Sequence, residues 1–282
     1  MSDDPRGGET ISTSPTGAIR RIALGVSYRG SAYKGWQSQP SGGTVQDALE
    51  AALTKFAVRP IKVMCAGRTD AGVHGLNQVV HLDTDVHREP FSWVRGANAF
   101  LPADISVQWA RELGRGFHAR NSARGRRYVY VLLESPVRPA LEAGLVGWVF
   151  RPLNLDAMRQ GAQYLIGEHD FSSFRSSQCQ SPTPIKTLRQ IEISKKGPYW
   201  RFDFEGNAFL HHMIRNIMGC LIAVGTGGQD PSWMQGVLAA RSRDAAAPTF
   251  PPDGLYFLGP RYDPQWGLPT DVPGMAWLPG IS

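Results

Sequence analysis

A chain of 282 residues is long enough to bury a core and to form two lobes or domains. Its 42% hydrophobic and 19% charged content excludes a disordered chain, and a net charge of +6 with a pI of 9.4 favours an acidic partner such as nucleic acid. Three cysteines (Cys65, Cys179 and Cys220) without CxxC spacing argue against a disulfide framework or a zinc ribbon and suit a reducing compartment. The opening MSDDPRGGET has no apolar h-region, so no secretory signal is expected. The most apolar stretch, Met213 to Val224, carries Arg215 and Asn216 and is too short to span a bilayer, which makes a cytoplasmic protein the expectation.

Residues 1–18 are rich in Gly, Ser, Thr and Pro and read as a flexible tail. Arg20 to Tyr28 reads as a strand, followed by a loop, Arg29 to Gln39, dense in aromatic and amide groups. Thr44 can cap a helix whose Val45, Ala48, Leu49, Ala52, Leu53 and Phe56 form one apolar stripe. Ile61 to Met64 and Gln78 to Leu82 read as strands on either side of a loop, Cys65 to Gly75. A helix over Phe91 to Phe100 and a strand over Ile105 to Trp109 complete this half. The second half repeats the outline loosely. It has a strand at Arg127 to Leu133, a helix at Leu155 to Ile166 and a polar loop from Gly167 to Pro184. A strand pair at Leu188 to Ser194 and Tyr199 to Phe204 then leads to a long helix from Ala208 to Val224. The Pro- and Gly-rich stretch from Tyr262 to Ser282 is expected to be irregular. The similar element order suggests a duplication, although no residue-level repeat supports it.

The loop at 65–75 holds one carboxylate, Asp70, and one guanidinium, Arg68, among Gly67, Gly72 and Gly75. Glycines let the backbone turn tightly and let a ligand come close. Such a loop is a plausible seat for a nucleophile with an anionic substrate; it equally fits a turn that Asp70 caps while Arg68 is solvated. Between Arg111 and Arg127 six arginines face one acid, Glu112, with His118 and Tyr128 in or beside the run. That composition suits phosphate contacts and base stacking, or a solvated strand face. Arg215 sits at the border of the apolar stripe of the long helix, so it either snorkels to solvent or is partly buried against a carboxylate such as Asp70. His211 and His212, adjacent on that helix, should point apart and make a poor metal pair. No GxGxxG, Walker A, HExxH or GxSxG is present, and His87-Arg88-Glu89 lacks the PCxxC that would complete a zinc deaminase signature.

Gly67-Arg68-Thr69-Asp70-Ala71-Gly72-Val73-His74 followed by Gln78-Val79 resembles the catalytic motif of the TruA tRNA pseudouridine synthases. The resemblance runs along most of residues 20–260. It takes in YKGWQSQ from Tyr33, LPADI from Leu101, FHAR from Phe117, RYVY from Arg127, HDFSSFR from His169, QCQS from Gln178, MIRNI from Met213 and GLY from Gly254. It implies an α+β pseudouridine synthase fold, with two similar lobes sharing a mixed, largely antiparallel sheet, flanking helices and a central cleft. The expected layout is an N-terminal tail (1–19), an N-terminal lobe with the Asp70 loop (20–112), a C-terminal lobe (113–262) and a C-terminal tail (263–282).

The implied activity is isomerisation of uridine to pseudouridine at positions 38, 39 and 40 of the tRNA anticodon stem-loop. It needs no cofactor and no metal, and the expected assembly is a homodimer on which one tRNA touches both subunits. By position, Asp70 would be the nucleophile, Arg215 its ion-pair partner, Tyr128 the wall packed on the target base, and Arg68 a side chain that helps to extrude it. Phe117, His118, Ala119, Arg120, Asn121, Arg175, Gln178, Cys179, Gln180 and Ser181 would contact the tRNA. Asp70 could attack ribose C1′, attack base C6 or abstract a ribose proton. Two positions depart from the family pattern: Gly75, where alanine is usual and the change should loosen the loop, and Pro182, where many members have arginine. The alternatives are a non-catalytic RNA-binding or chaperone protein and a pseudouridine synthase acting on other RNA sites.

Overall fold

The computed structural model describes residues 18–270. Most of the expected N-terminal tail and the last twelve residues of the expected C-terminal tail lie outside them. The strands are β1 (Arg20–Tyr28), β2 (Met64–Cys65), β3 (His74–Thr84), β4 (Ile105–Leu113), β5 (Ala123–Glu134), β6 (Gly147–Val149), β7 (Gly167–Asp170), β8 (Ile185–Lys196), β9 (Tyr199–Gly206) and β10 (Leu255–Tyr262). The helices are α1 (Val45–Ala57), α2 (Pro90–Asn98), α3 (Leu155–Gln163), α4 (Met213–Gly225) and α5 (Trp233–Ala240).

All ten strands join one sheet in the order β4-β1-β3-β10-β5-β9-β8-β7, with β2 on β3 and β6 on β5. Among the described residues only the short β10–β3 and β5–β6 pairings are parallel. The mixed, largely antiparallel α+β sheet expected from the sequence is therefore present. β10, near the end of the chain, sits at its middle and joins the two halves, pairing with β3 on one side and β5 on the other.

Side-chain alternation sorts the sheet into two faces. Tyr128, Tyr130 and Leu132 of β5 pack in the core that includes α3 and α4, whereas Val129, Val131 and Leu133 join Leu258 and Val146 on the opposite face. In the first half, Ile22, Leu24 and Val26 of β1 pack with Val45, Leu49 and Leu53 of α1 and with Trp93 and Ala97 of α2. The helix-side core is thus divided between the halves.

Helix α1 follows its sequence signals: Thr44 Oγ1 accepts from the Asp47 amide at 3.2 Å, and of the apolar stripe Val45, Leu49, Ala52 and Leu53 are buried while Ala48 and Phe56 pack partly buried against them. The strand expected at Ile61 to Met64 shrinks to Met64–Cys65. Side chains of α1 take its hydrogen bonds instead, because Thr54 Oγ1 accepts from Ile61 N and Glu50 Oε1 accepts from Val63 N, each at 3.0 Å. The helix expected from Ala208 begins only at Met213, because His212 takes a left-handed conformation with φ +63°. Phe209 and Leu210 prolong the apolar pattern simply because they also pack on the core.

Candidate active site

The loop from Ala66 to Val73 is held from three sides. Gln78, fully buried on β3, donates from Nε2 to Gly67 O and accepts from Gly67 N. Trp36 N donates to Thr69 O at 3.0 Å, and Tyr28 Oη lies 2.8 Å from Thr69 Oγ1. Buried His74 accepts from Gly30 N at Nδ1 and, 3.0 Å from Asp253 O, donates from Nε2. Every flank of Asp70 is therefore anchored to the sheet or to the 30–36 segment.

Gly75 is part of β3 rather than of a loosened loop. A β-carbon there would lie 2.4 Å from the Tyr28 ring, so the absence of a side chain gives the tyrosine its place under Thr69. Gly75→Ala should lower stability by about 1–3 kcal/mol, as overpacking does, and displace Thr69 and with it Asp70. Chemical denaturation checks this: an unchanged midpoint would mean that Tyr28 has room to move.

Asp70 faces a cavity of about 1140 Å³ between the two halves. Its side chain is 18% exposed and meets three groups from the entry to α4. His211 Nε2 lies 3.3 Å from Oδ1, His212 Nε2 lies 3.6 Å from Oδ2, and Arg215 Nη1 lies 3.5 Å from Oδ2. Arg215 does not snorkel: its side chain is 15% exposed, and its Nε donates to Phe250 O at 2.8 Å. Burial pushes the Asp70 pKa up, but the His211 hydrogen bond and the charges of His211, His212 and Arg215 outweigh it and hold the carboxyl below its ordinary value. Asp70 is thus ionised at neutral pH in a largely dehydrated place. The imidazole of His212 is itself held below its usual pKa, chiefly by burial.

The two histidines correct the expectation that they share a helix and point apart. They precede α4, and the left-handed turn at His212 brings their ring centroids to 4.0 Å, both over Asp70. With Asp70 they offer three ligand atoms within 4.8 Å of one another, a spacing that a divalent ion could bridge; the Arg215 guanidinium opposes a cation there. The sequence offered little to find them by. No Ser, Thr, Asp or Asn stands just before Met213 to mark the helix start.

Tyr128 lines the cavity from β5, 8% exposed, with its ring against Phe209 and Phe257 at 5.1 and 4.9 Å. Burial, followed by the charge of Asp70, pushes its pKa up, so the hydroxyl stays protonated. Arg68 lies at the exposed side of the cavity, where Nη1 donates to Gln180 Oε1 at 3.0 Å, linking the Asp70 loop to the 176–182 segment. Among the charged side chains of the described lining, Lys34, Arg68, Arg120, Arg126, Lys186 and Arg215 stand against one carboxylate, Asp70.

The expected tRNA contacts divide in two. His118, Arg120, Asn121, Gln178, Gln180 and Ser181 keep solvent-accessible side chains, and Cys179 is half-buried. Phe117 and Ala119, by contrast, are fully buried: Phe117 packs on His81, Tyr262 and Trp266, and Ala119 N donates to His81 Nδ1. Their side chains shape the loop and are unavailable to RNA. Arg175 spends Nη2 on the carbonyls of Cys179 and Ser181, so it too shapes a loop. Of the six arginines in the basic run only Arg120 and Arg126 line the cavity. Arg126 binds the carbonyls of Ala66, Arg120 and Asn207, tying three cavity-lining segments together. Its structural role was not visible in the sequence.

A family model described as tRNA pseudouridine synthase matches residues 25–121 and 162–263. The chain is 67% identical over 259 residues to a tRNA pseudouridine synthase A of Methylibium petroleiphilum, covering 92% of this chain and all of that one. It is 64% identical over 277 residues to the tRNA pseudouridine synthase A of Paracidovorax citrulli, again covering 92% of this chain and all of the relative.

Proposed function

Because this chain belongs to the tRNA pseudouridine synthase family, and so is an isomerase acting on tRNA, we propose that it converts uridine to pseudouridine at positions 38, 39 and 40 of the anticodon stem-loop, with Asp70 as nucleophile. The observation that carries this reading is the ionised Asp70 carboxylate, paired with Arg215 and facing a cavity whose other Lys and Arg side chains carry positive charge and which has no second carboxylate among the described residues.

Breaking the N1–C1′ bond develops positive charge on the ribose, as in glycoside cleavage, and an ionised carboxylate is suited to that charge. Attack at C1′, attack at C6 and abstraction of a ribose proton all need Asp70 unprotonated, and its lowered pKa supplies that state. The freed uracil has to turn and rejoin through C5 before it escapes, so the pocket must be closed and water-poor. Tyr128, packed by Phe209 and Phe257, offers a fixed wall for the base. A stem uridine must first leave its stack, at a cost of a few kcal/mol. Contacts of Arg68, Arg120 and Lys34 with phosphates would offset it, and Arg68, at the exposed side of the cavity, would help to extrude the base. The 1140 Å³ cavity exceeds the roughly 300–1,000 Å³ of small-molecule pockets, leaving room for a flipped nucleotide and part of its neighbours. His118, Asn121, Gln178, Cys179, Gln180 and Ser181 would bear on the surrounding RNA.

The same reading includes a cytoplasmic homodimer. Exposed apolar side chains at Val137, Leu141, Trp148 and Phe150 offer surface for a second copy, which sedimentation equilibrium would detect. Among the described residues no helix is long and apolar enough to cross a membrane. The reaction is tested by tritium release from unmodified tRNA labelled at uridine C5, followed by mapping of the product. Release with pseudouridine at 38–40 supports the proposal. Release with pseudouridine elsewhere replaces the site assignment, and tight, salt-sensitive binding without release favours an RNA-binding protein.

A further inference from the structure

Neighbouring residues rarely serve one point in space: in a helix their side chains diverge by about 100°, and in a strand they oppose each other. His211 and His212 break this rule. Their Nε2 atoms lie 3.3 and 3.6 Å from the two different oxygens of Asp70. The convergence is made by the left-handed backbone of His212, a conformation that is costly for any residue with a β-carbon and collects at functional sites. Capping does not explain a histidine there, because the His212 side chain makes no hydrogen bond to the first turn of α4, and glycine would take the same turn more easily.

The backbone of His211 is fixed from outside α4. Its N–H donates to Cys179 Sγ at 3.3 Å, and its carbonyl accepts from Ser176 N at 3.0 Å. His211 therefore joins two things: its backbone holds the 176–179 segment, which borders the cavity, and its imidazole reaches the carboxylate oxygen Oδ1. Arg215 meets the other oxygen. One carboxylate held at both oxygens has one orientation.

We propose that His211 is a positioning residue: it holds the Asp70 carboxylate in its reactive orientation by donating from Nε2 to Oδ1, in a place set by the 176–179 segment. His212 completes the clamp and supplies the turn that forms it. The inference rests on the reading of Asp70 as the reactive group.

The test compares wild type with H211A, H211Q and D70N in single-turnover conversion of unmodified tRNA, alongside tRNA affinity and thermal melting. The amide of H211Q can put an N–H near the position of Nε2. The expected result is an about 10- to 100-fold slower step for H211A, as small misplacements of reacting groups cause. Affinity for tRNA should stay within about threefold, and H211Q should recover most of the rate. Wild-type rate in H211A overturns the proposal, and so does a loss of affinity equal to the loss of rate, which would make His211 an RNA contact. A rate for H211Q as low as that of H211A also overturns it, since the imidazole would then act by its own chemistry. Should H211A melt well below wild type, H211M, of similar bulk and without a donor, takes its place, and equal rates for H211M and H211Q decide against the proposal. An active D70N would sink the Asp70 reading itself; an inactive D70N beside a fully active H211A would sink only the role of His211.

Discussion

Asp70→Asn should lower pseudouridine formation by at least about four orders of magnitude, the scale seen when a nucleophile is removed. Asparagine keeps the size of aspartate and can still hydrogen-bond, so Trp36, Tyr28 and Gln78 should hold the loop as before. What disappears is the negative charge. Because Asp70 is the one carboxylate among the described residues of a cavity that also carries six cationic side chains, its removal makes the site more attractive to phosphate, and tRNA should bind as tightly as to wild type or more tightly. Single-turnover assays and filter binding on one preparation separate the two effects. Turnover within tenfold of wild type would exclude Asp70 from the chemistry.

Arg215→Ala should reduce the rate by about two to three orders of magnitude and lower stability by about 1–3 kcal/mol. At 3.5 Å the Asp70–Arg215 pair acts more as a charge pair than as a hydrogen bond, so the stability term owes much to the Phe250 carbonyl left without its donor. His211 and His212 remain beside Asp70 and limit the damage. Arg215→Lys separates the contributions: a lysine restores charge near Asp70 but not the two-ended guanidinium that reaches Phe250 as well. Wild-type activity in R215A would show that the ion pair is incidental.

The sequence was most legible where local chemistry decides structure. Thr44 and the stripe behind it specify α1, and the Asp70 loop stands out by its glycines and its lone acid. Arg215 at the stripe border announced a choice between solvent and a carboxylate, and the structure shows the carboxylate. Legibility failed where distant residues decide. Strand β10 is not expected from the sequence at all, yet it lies at the sheet centre. Gly259 has φ +117° there, and a β-carbon would come within 2.6 Å of Asn77 O, so the glycine admits β3 rather than ending a strand. Likewise Phe117 and Ala119 lie in a basic, surface-like run and gave no sign that His81, Tyr262 and Trp266 bury them. Gly75 looked like slack in a loop until Tyr28 occupied the space.

The position of β10 also bears on how the molecule is made. Chains emerge from the ribosome N-terminus first, and domains begin to fold as they appear. Strands β3 and β5 belong to opposite halves and, among the described residues, are joined through β10, which comes after both of them in the chain. Each half can collapse on its own helices early, but the seam between them stays open until β10 has emerged. The cleft with Asp70 on one bank and Tyr128 on the other therefore closes after the elements of both halves have formed. A nascent chain that stalls before Leu255 lacks the strand that joins the two halves, so the competence to modify RNA arrives only with β10.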